Sequence, residues 1–270
     1  MNAKAIFEKA RKVKAKVAIG APNDLKVANS VLESAKRAVE LGYANVLVIT
    51  EFEEIKGDVD VEITTCPEKR LIELLNNGEV DAVVRGALSS DKFIDEVKRV
   101  FKLSILERAS LIESPSNELF FLGPTGIDEG LTLNQKISLI IDGASMASRL
   151  GMVFRVGVLS GGRLNDLGRN PEVDKSLADG EFIASRARDM GFQVKHYQIL
   201  LEDALREKAT FILAPNGVVG NLIFRTLVLV AGWNSLGAPV LNVGKIIIDT
   251  SRARGDYLRP IVLASALSGT

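Results

Sequence analysis

The chain has a single cysteine, Cys66, and a single histidine, His196, in 270 residues. A lone thiol cannot close an intramolecular disulfide, and multi-cysteine or His-rich metal sites are excluded. One histidine also leaves little from which to build a histidine-based triad. His196 falls in QVKHY, an expected strand, where a surface or hydrogen-bonded structural role reads best, and Cys66 beside Pro67 reads as an ordinary thiol. Glutamine is scarce (Gln135, Gln193 and Gln198) while Lys and Glu are plentiful, a composition that leans toward a heat-adapted organism. There is no excess of either charge, since Lys plus Arg and Asp plus Glu each number 34. No global field would therefore draw in nucleic acid or an anionic membrane, and a charged partner must be met locally. The first twenty residues are charged and helix-prone, with no apolar core of signal-peptide length. The longest nearly uncharged stretch, 222–244, is interrupted by Arg225, Asn234, Pro239 and Asn242, so it reads as a core helix and a strand rather than a membrane span. A cytoplasmic globular protein is the expectation.

What is present is an alternation of apolar strands with amphipathic helices. KVAIG (16–20) reads as a strand, Asn23 or Asp24 can cap the helix that follows, and Gly42 sits where a C-cap glycine belongs. NVLVIT (45–50) is continuously apolar, the mark of a strand covered on both faces in a parallel sheet. Helices are expected over 68–77 and 89–101, with strands over 80–84, 109–112 and 118–122. GPTGIDEG (123–130) is the strongest punctuation in the middle of the chain, and a long helix over 131–150 follows. The pattern then restarts: strand 154–160, helix 172–190, strand QVKHY, a short helix, strand TFILAP, a helix over 220–231, a strand over 239–249 and a last helix over 258–267. Two α/β lobes with a cleft between them follow, residues 1–130 with 244–270 and residues 131–243. The helix within LIFRTLVLVAGW is apolar on most faces and reads first as core, second as a dimer surface.

In open parallel sheets, ligands sit beyond the C-terminal ends of the strands, so the loops there carry the functional argument. RGALSSD (85–91, with Gly86, Ser89 and Ser90), SGGRLND (160–166, with Ser160, Gly161, Gly162 and Arg163) and TSRARGD (250–256) each combine small residues with arginine. Such loops let backbone N–H groups and a guanidinium converge on a phosphate or carboxylate. The first two read first as ordinary turns and second as sites; for TSRARGD the order reverses, because Ser251, Arg252, Arg254, Gly255 and Asp256 crowd the turn between an apolar strand and a helix start. PNGVVGN (215–221) is either a strand-exit turn or, through Gly217 and Gly220, a close backbone approach, with Asn216 and Asn221 beside it. No P-loop and no G-x-G-x-x-G is present, so a Walker-type NTPase or a standard dinucleotide fold lacks support.

These segments resemble a family. PNGVVGNLIFRTL, IDTSRARGD, DAVVRGALSSDKFIDEV and the helix leading into RVGVLS are similar, in order, to segments of the phosphate acetyl/butyryltransferases and the acyl-acyl carrier protein phosphate acyltransferases. Within that superfamily, RGALSSDKF and NPEVDKSLADGEF look most like the MtxX group, also called methanogenesis marker protein 4, whose members carry the name of a methyltransferase subunit. The resemblance implies a two-lobed, three-layer α/β/α fold with mostly parallel sheets, like isocitrate dehydrogenase. It also implies a phosphoester or thioester ligand, such as phosphate or coenzyme A, in the cleft, and no tightly bound cofactor or metal. Arg252 would hold phosphoryl or carbonyl oxygens with Arg254 as a second clamp, Ser251 would donate to the oxyanion, and Asp256 would deprotonate the thiol. Positioning of two bound reactants, rather than a covalent nucleophile, would carry most of the rate.

The sequence departs from the acyltransferases in two places. Ala253 and Arg254 intervene before Gly255, where the family has glycine directly after the serine-arginine pair, and HYQILLEDAL retains only Asp203 of a glycine-containing turn. The reaction therefore stays open between acyl transfer, methyl transfer as a subunit in methanogen one-carbon metabolism, and an accessory protein that keeps an anion seat. A homodimer and methyltransferase partner subunits are both open on the same grounds. GAPND after the first strand is no glycine-rich S-adenosylmethionine loop.

Overall fold

The fold is that of a computed structural model describing residues 2–53, 59–251 and 255–269. In chain order its elements are α1 (Ala3–Val13), β1 (Lys16–Ala21), α2 (Leu25–Glu40), β2 (Asn45–Thr50), β3 (Asp60–Ile63), α3 (Pro67–Asn76), β4 (Ala82–Val84), α4 (Ser90–Phe101), β5 (Ser110–Glu113) and β6 (Leu119–Gly123). There follow α5 (Leu133–Arg149), β7 (Arg155–Leu159), α6 (Pro171–Asp189), β8 (Gln193–Gln198), α7 (Leu201–Arg206), β9 (Phe211–Leu213), α8 (Gly217–Phe224), β10 (Asn234–Pro239), β11 (Ile246–Asp249) and α9 (Leu258–Ser268). They divide into two compact units, Asn2–Leu106 with Ser235–Thr270, and Glu107–Asn234.

In the first unit the strand order is β3-β2-β1-β4-β11-β10, parallel except for the β10/β11 pair. The apolar runs behave as expected of strands covered on both faces, with β1 buried from its second residue onward. Leu71, Ile72, Leu74 and Leu75 of α3 and Phe93 and Val97 of α4 pack against Ala18, Ile49, Val83 and Ile247. On the other face lies α9, buried from Pro260 to Leu267, and hydroxyls tie it in: Ser265 Oγ accepts from Ala15 N–H at 3.1 Å and donates to Tyr43 O at 2.7 Å. Asp24 caps α2 through Val27 N–H at 2.9 Å, and Gly42 takes φ +70° just past its end.

In the second unit the order is β5-β6-β9-β7-β8, with β5/β6 antiparallel and the rest parallel. Helix α5 opens with a capping box in which Thr132 Oγ1 accepts from Gln135 N–H while the Gln135 side chain reaches back to Thr132 N–H. Helix α6 begins at the Asn170 cap and Pro171. The architecture is thus α/β, mostly parallel and three-layered.

Three expectations differ from this fold. The strand expected over 239–249 is two antiparallel strands: Gly244 at φ +65° turns the chain, and Val240 N–H donates to Ile247 O at 2.9 Å. The boundary expected at residue 130 falls inside the second unit, because β6 pairs in parallel with β9 and carries β5 along. The LIFRTLVLVAGW helix, expected in the core, starts at Gly217 and continues past α8 as π turns over Arg225–Val230. One face does reach the core, with Val228 buried and Ile223, Phe224, Leu227 and Leu229 packed against its cluster, whereas Leu222 is 61% and Val230 83% exposed on the other.

Candidate functional site

The loops after β4 and β11 meet within the first unit, joined by Arg85. Its Nε donates to Asp249 Oδ1 at 2.5 Å, Nη1 donates to Leu88 O at 2.6 Å, and Nη2 donates to Thr250 O. Thr250 Oγ1 adds a bond to Gly86 O at 2.6 Å. Arg85 is buried, so its fork fastens the loops together rather than waiting for an anion. Gly86, at φ +64°, is buried, and a Cβ there would fall on the carbonyl oxygen of Gly20, so its freedom serves the crossing of two chain segments. Ser89 and Ser90 sit half-buried at the start of α4, and Ser89 makes no capping hydrogen bond.

Of the C-terminal signature, Arg252 and Arg254 lie outside the described residues. Ser251 is half-buried, and Gly255 is exposed at φ +64° with open space around it. Asp256 Oδ1 accepts from Leu258 N–H at 3.1 Å, just ahead of the α9 cap residue Tyr257, and stands 3.9 Å from Arg37 Nη1. That bond takes one of the carboxylate's several lone pairs, so it does not by itself stop Asp256 from accepting a proton.

In the second unit the predicted residues split into two groups. Gly217, Gly220 and Asn221 face the chain's own backbone: a Cβ on Gly217 would overlap Gly126 O, one on Gly220 would overlap Pro124 O, and Asn221 Nδ2 donates to Thr125 O at 3.0 Å. The 124–130 loop that receives them is held by Glu129, whose carboxylate accepts from Arg108 Nε at 2.6 Å, Arg108 N–H at 3.0 Å and Gly126 N–H at 3.1 Å. The close approach expected from the glycines is therefore helix on loop.

The other group lines a pocket of about 650 Å³ at the C-terminal ends of β7, β8 and β9. Ser160, Gly161 and Asn216 contribute, with Leu159, Ile199, Leu201, Val219 and Ile223 as apolar wall. Asn216 Oδ1 caps α8 through Val219 N–H at 3.0 Å. Gly161 N–H donates to Ser176 Oγ at 2.9 Å, and Gly162 leaves room for Val173, which would collide with a Cβ there. Arg163 is exposed, its N–H donating to Asp166 Oδ2 at 2.9 Å, and does not line the pocket.

Sequence reasoning passed over the pocket's two lysines, Lys175 of α6 and the buried Lys136 of α5. Lys136 Nζ stands 3.8 Å from Asp179 Oδ2, beyond hydrogen-bonding reach, while Lys175 Nζ holds that same oxygen at 3.0 Å. Burial pushes the Lys136 ammonium below the usual lysine range, against the pull of Asp179. Glu172, Lys175, Ser176 and Asp179 line the same side of the pocket, so Lys136 stands in a charged cluster that faces the apolar wall. The available signal was a lysine one turn into an amphipathic helix, which looks like any solvated position. Among the described residues, no cluster of His, Cys, Asp and Glu could hold a metal ion, and no helix is long and apolar enough to cross a membrane.

No family model matches the sequence. Among solved structures, a branched-chain phosphotransacylase from Enterococcus faecalis is similar at a TM-score of 0.72 and 16% identity, covering 93% of this chain and 98% of that one. A 4-hydroxythreonine-4-phosphate dehydrogenase from Burkholderia phymatum is similar at a TM-score of 0.60 and 13% identity, covering 94% and 98%. At these identities the likeness is one of fold. Sequence relatives go further: a protein of Methanosarcina acetivorans named "Putative methyltransferase mtx subunit X" is 46% identical over 269 residues, covering 98% of this chain and 94% of its own. An "Uncharacterized methyltransferase" of Methanopyrus kandleri is 38% identical over 245 residues, covering 88% and 94%. With identity of that order along nearly its whole length, the chain belongs to the MtxX family of archaeal proteins named for the mtx methyltransferase subunit X.

Proposed function

We propose that this chain is a transferase-like protein that binds a small phosphoester or thioester, with phosphate and coenzyme A as the ligand chemistries. The observation that carries the reading is the second unit's pocket, where the buried ammonium of Lys136, with Lys175 and Asp179 beside it, faces an apolar wall and the polar residues Ser160, Gly161 and Asn216. Its place beyond the C-terminal ends of three parallel strands is where α/β sheets take ligands. The signature Ser251, Arg252, Arg254 and Gly255 supports the same ligand class from its residue types, two guanidinium forks beside a helix start.

The methyl-transfer reading is favoured by the name that the relatives carry. In it the chain works with partner subunits, and the pocket takes a methyl donor or acceptor. The exposed apolar side chains Val218, Leu222 and Val230 supply a surface for a second copy of the chain in either reading. A thermal-shift screen separates the ligand classes, because a ligand bound only by the folded state raises the midpoint. Acyl transfer requires shifts with phosphate, coenzyme A or acetyl phosphate, and methyl transfer requires them with S-adenosylmethionine or a methylated pterin. No shift with the first three would remove the acyl reading.

A further inference from the structure

Ser160 has a partner that neither reading uses. Its Oγ lies 2.9 Å from Nε2 of His196, and the other ring nitrogen, Nδ1, lies 3.2 Å from Glu181 Oε2. A carboxylate accepts only, so Glu181 fixes the proton on Nδ1 and leaves the Nε2 lone pair for the serine hydroxyl. The His196 side chain is only 6% exposed, and Ser160 lines the pocket. Glu181 is 62% exposed, and its other oxygen accepts from Arg188 Nη2 at 2.8 Å.

The backbone is arranged around this chain of contacts. Gly180 stands in the middle of α6, where glycine is less favourable than alanine. A Cβ there would come within 2.7 Å of His196 Nε2, so the glycine makes the space that the imidazole fills. The β7/β8 register shifts between Val158, opposite His196, and Leu159, opposite Gln198. That bulge puts Gln198 at φ +60°, a conformation few non-glycine residues hold, and its carbonyl accepts from Ser160 N–H at 2.7 Å. Bulges of this kind re-aim side chains beside active sites.

We propose that Ser160 is a nucleophile, with His196 as its base and Glu181 as the residue that orients the base, and that it takes an acyl group from a thioester or acyl phosphate in the pocket. The step rests on the acyl reading above, but follows a covalent route where the family resemblance implies direct transfer. The Oγ–C bond forms as the C–S or C–O bond to the leaving group breaks. The hydroxyl proton passes to His196 Nε2 and then to the departing thiolate or phosphate. Phosphate or a thiol then attacks the acyl-serine, returning the proton to Ser160 through the same imidazole.

A fluorophosphonate probe tests the serine without knowledge of the natural donor. Wild type is expected to be labelled at Ser160, as read by peptide mass spectrometry, and Ser160→Ala is expected to take no label there. His196→Asn should slow labelling by about a hundredfold or more, the contribution of a positioned base. Because His196 is buried, Glu181→Gln on the surface serves as the second variant, expected to slow labelling while keeping the wild-type thermal midpoint. A wild type left unlabelled at Ser160, or label accruing at the wild-type rate in both variants, overturns the proposal. Coenzyme A titration of the same sample distinguishes the two claims: binding without labelling sinks the nucleophile alone, and labelling without binding sinks the acyl reading alone.

Discussion

Replacing Glu107 by Gln should flatten the pH dependence of the second unit's stability. Glu107 is 5% exposed at the start of that unit, and its side chain bonds to Ser138 and Asp142, one turn apart on α5. Burial pushes its carboxyl up to about 7 from the ordinary 4.5, and the neighbouring Asp142 carboxylate adds to the rise. The folded value lies above the unfolded one, so this group's contribution is fully present below about 4.5 and is lost as pH rises through about 7. A difference of about 2.5 units corresponds to about 3 kcal/mol across that window. The glutamine amide keeps a donor for Asp142 and an acceptor for Ser138, and does not titrate. Trp233, the only tryptophan, lies in the second unit, so its fluorescence during urea unfolding reports on that unit. Between pH 5 and pH 8 the wild type should lose about 3 kcal/mol more than Glu107→Gln, with the variant the more stable at pH 8. Equal losses, or a variant weaker by the same amount at both pH values, would refute the reasoning.

Two further substitutions probe the second unit. Gly220→Ala should destabilise it by about 1–3 kcal/mol, read by Trp233 fluorescence, because the new Cβ meets the Pro124 carbonyl; an unchanged urea midpoint would count against the packing of α8. Val230→Asp, at an 83% exposed position, should leave the fold intact and shift sedimentation from dimer to monomer, whereas identical sedimentation of both proteins would remove the dimer surface.

The fold was legible wherever a pattern was local. Continuous apolar runs gave β1, β2 and β4, and single polar residues gave ends such as the Asp24 cap. The β10/β11 hairpin was hidden because apolar residues continue on both sides of its turn, and β3 because DVEI alternates with carboxylates and is only partly buried. An all-round apolar helix usually means core; α8 packs one face there, buries its glycines against the 124–130 loop and turns leucine and valine outward. RGALSSD read first as an ordinary turn, and what its arginine does was out of reach of the sequence, because its partner Asp249 lies 164 residues away. The pocket depends on similar long-range meetings, Lys136 with Asp179 and Ser160 with His196, and no spacing rule brings those pairs together.

The central claim, that the second unit's pocket holds a phosphoester through Lys136, is tested most directly by calorimetric titration of coenzyme A into wild type and Lys136→Met. The account predicts saturable binding to wild type and at least tenfold weaker binding to the variant at an unchanged thermal midpoint, a loss of about 1.4 kcal/mol or more. Wild type that takes no coenzyme A, or equal affinity in both proteins, would contradict it.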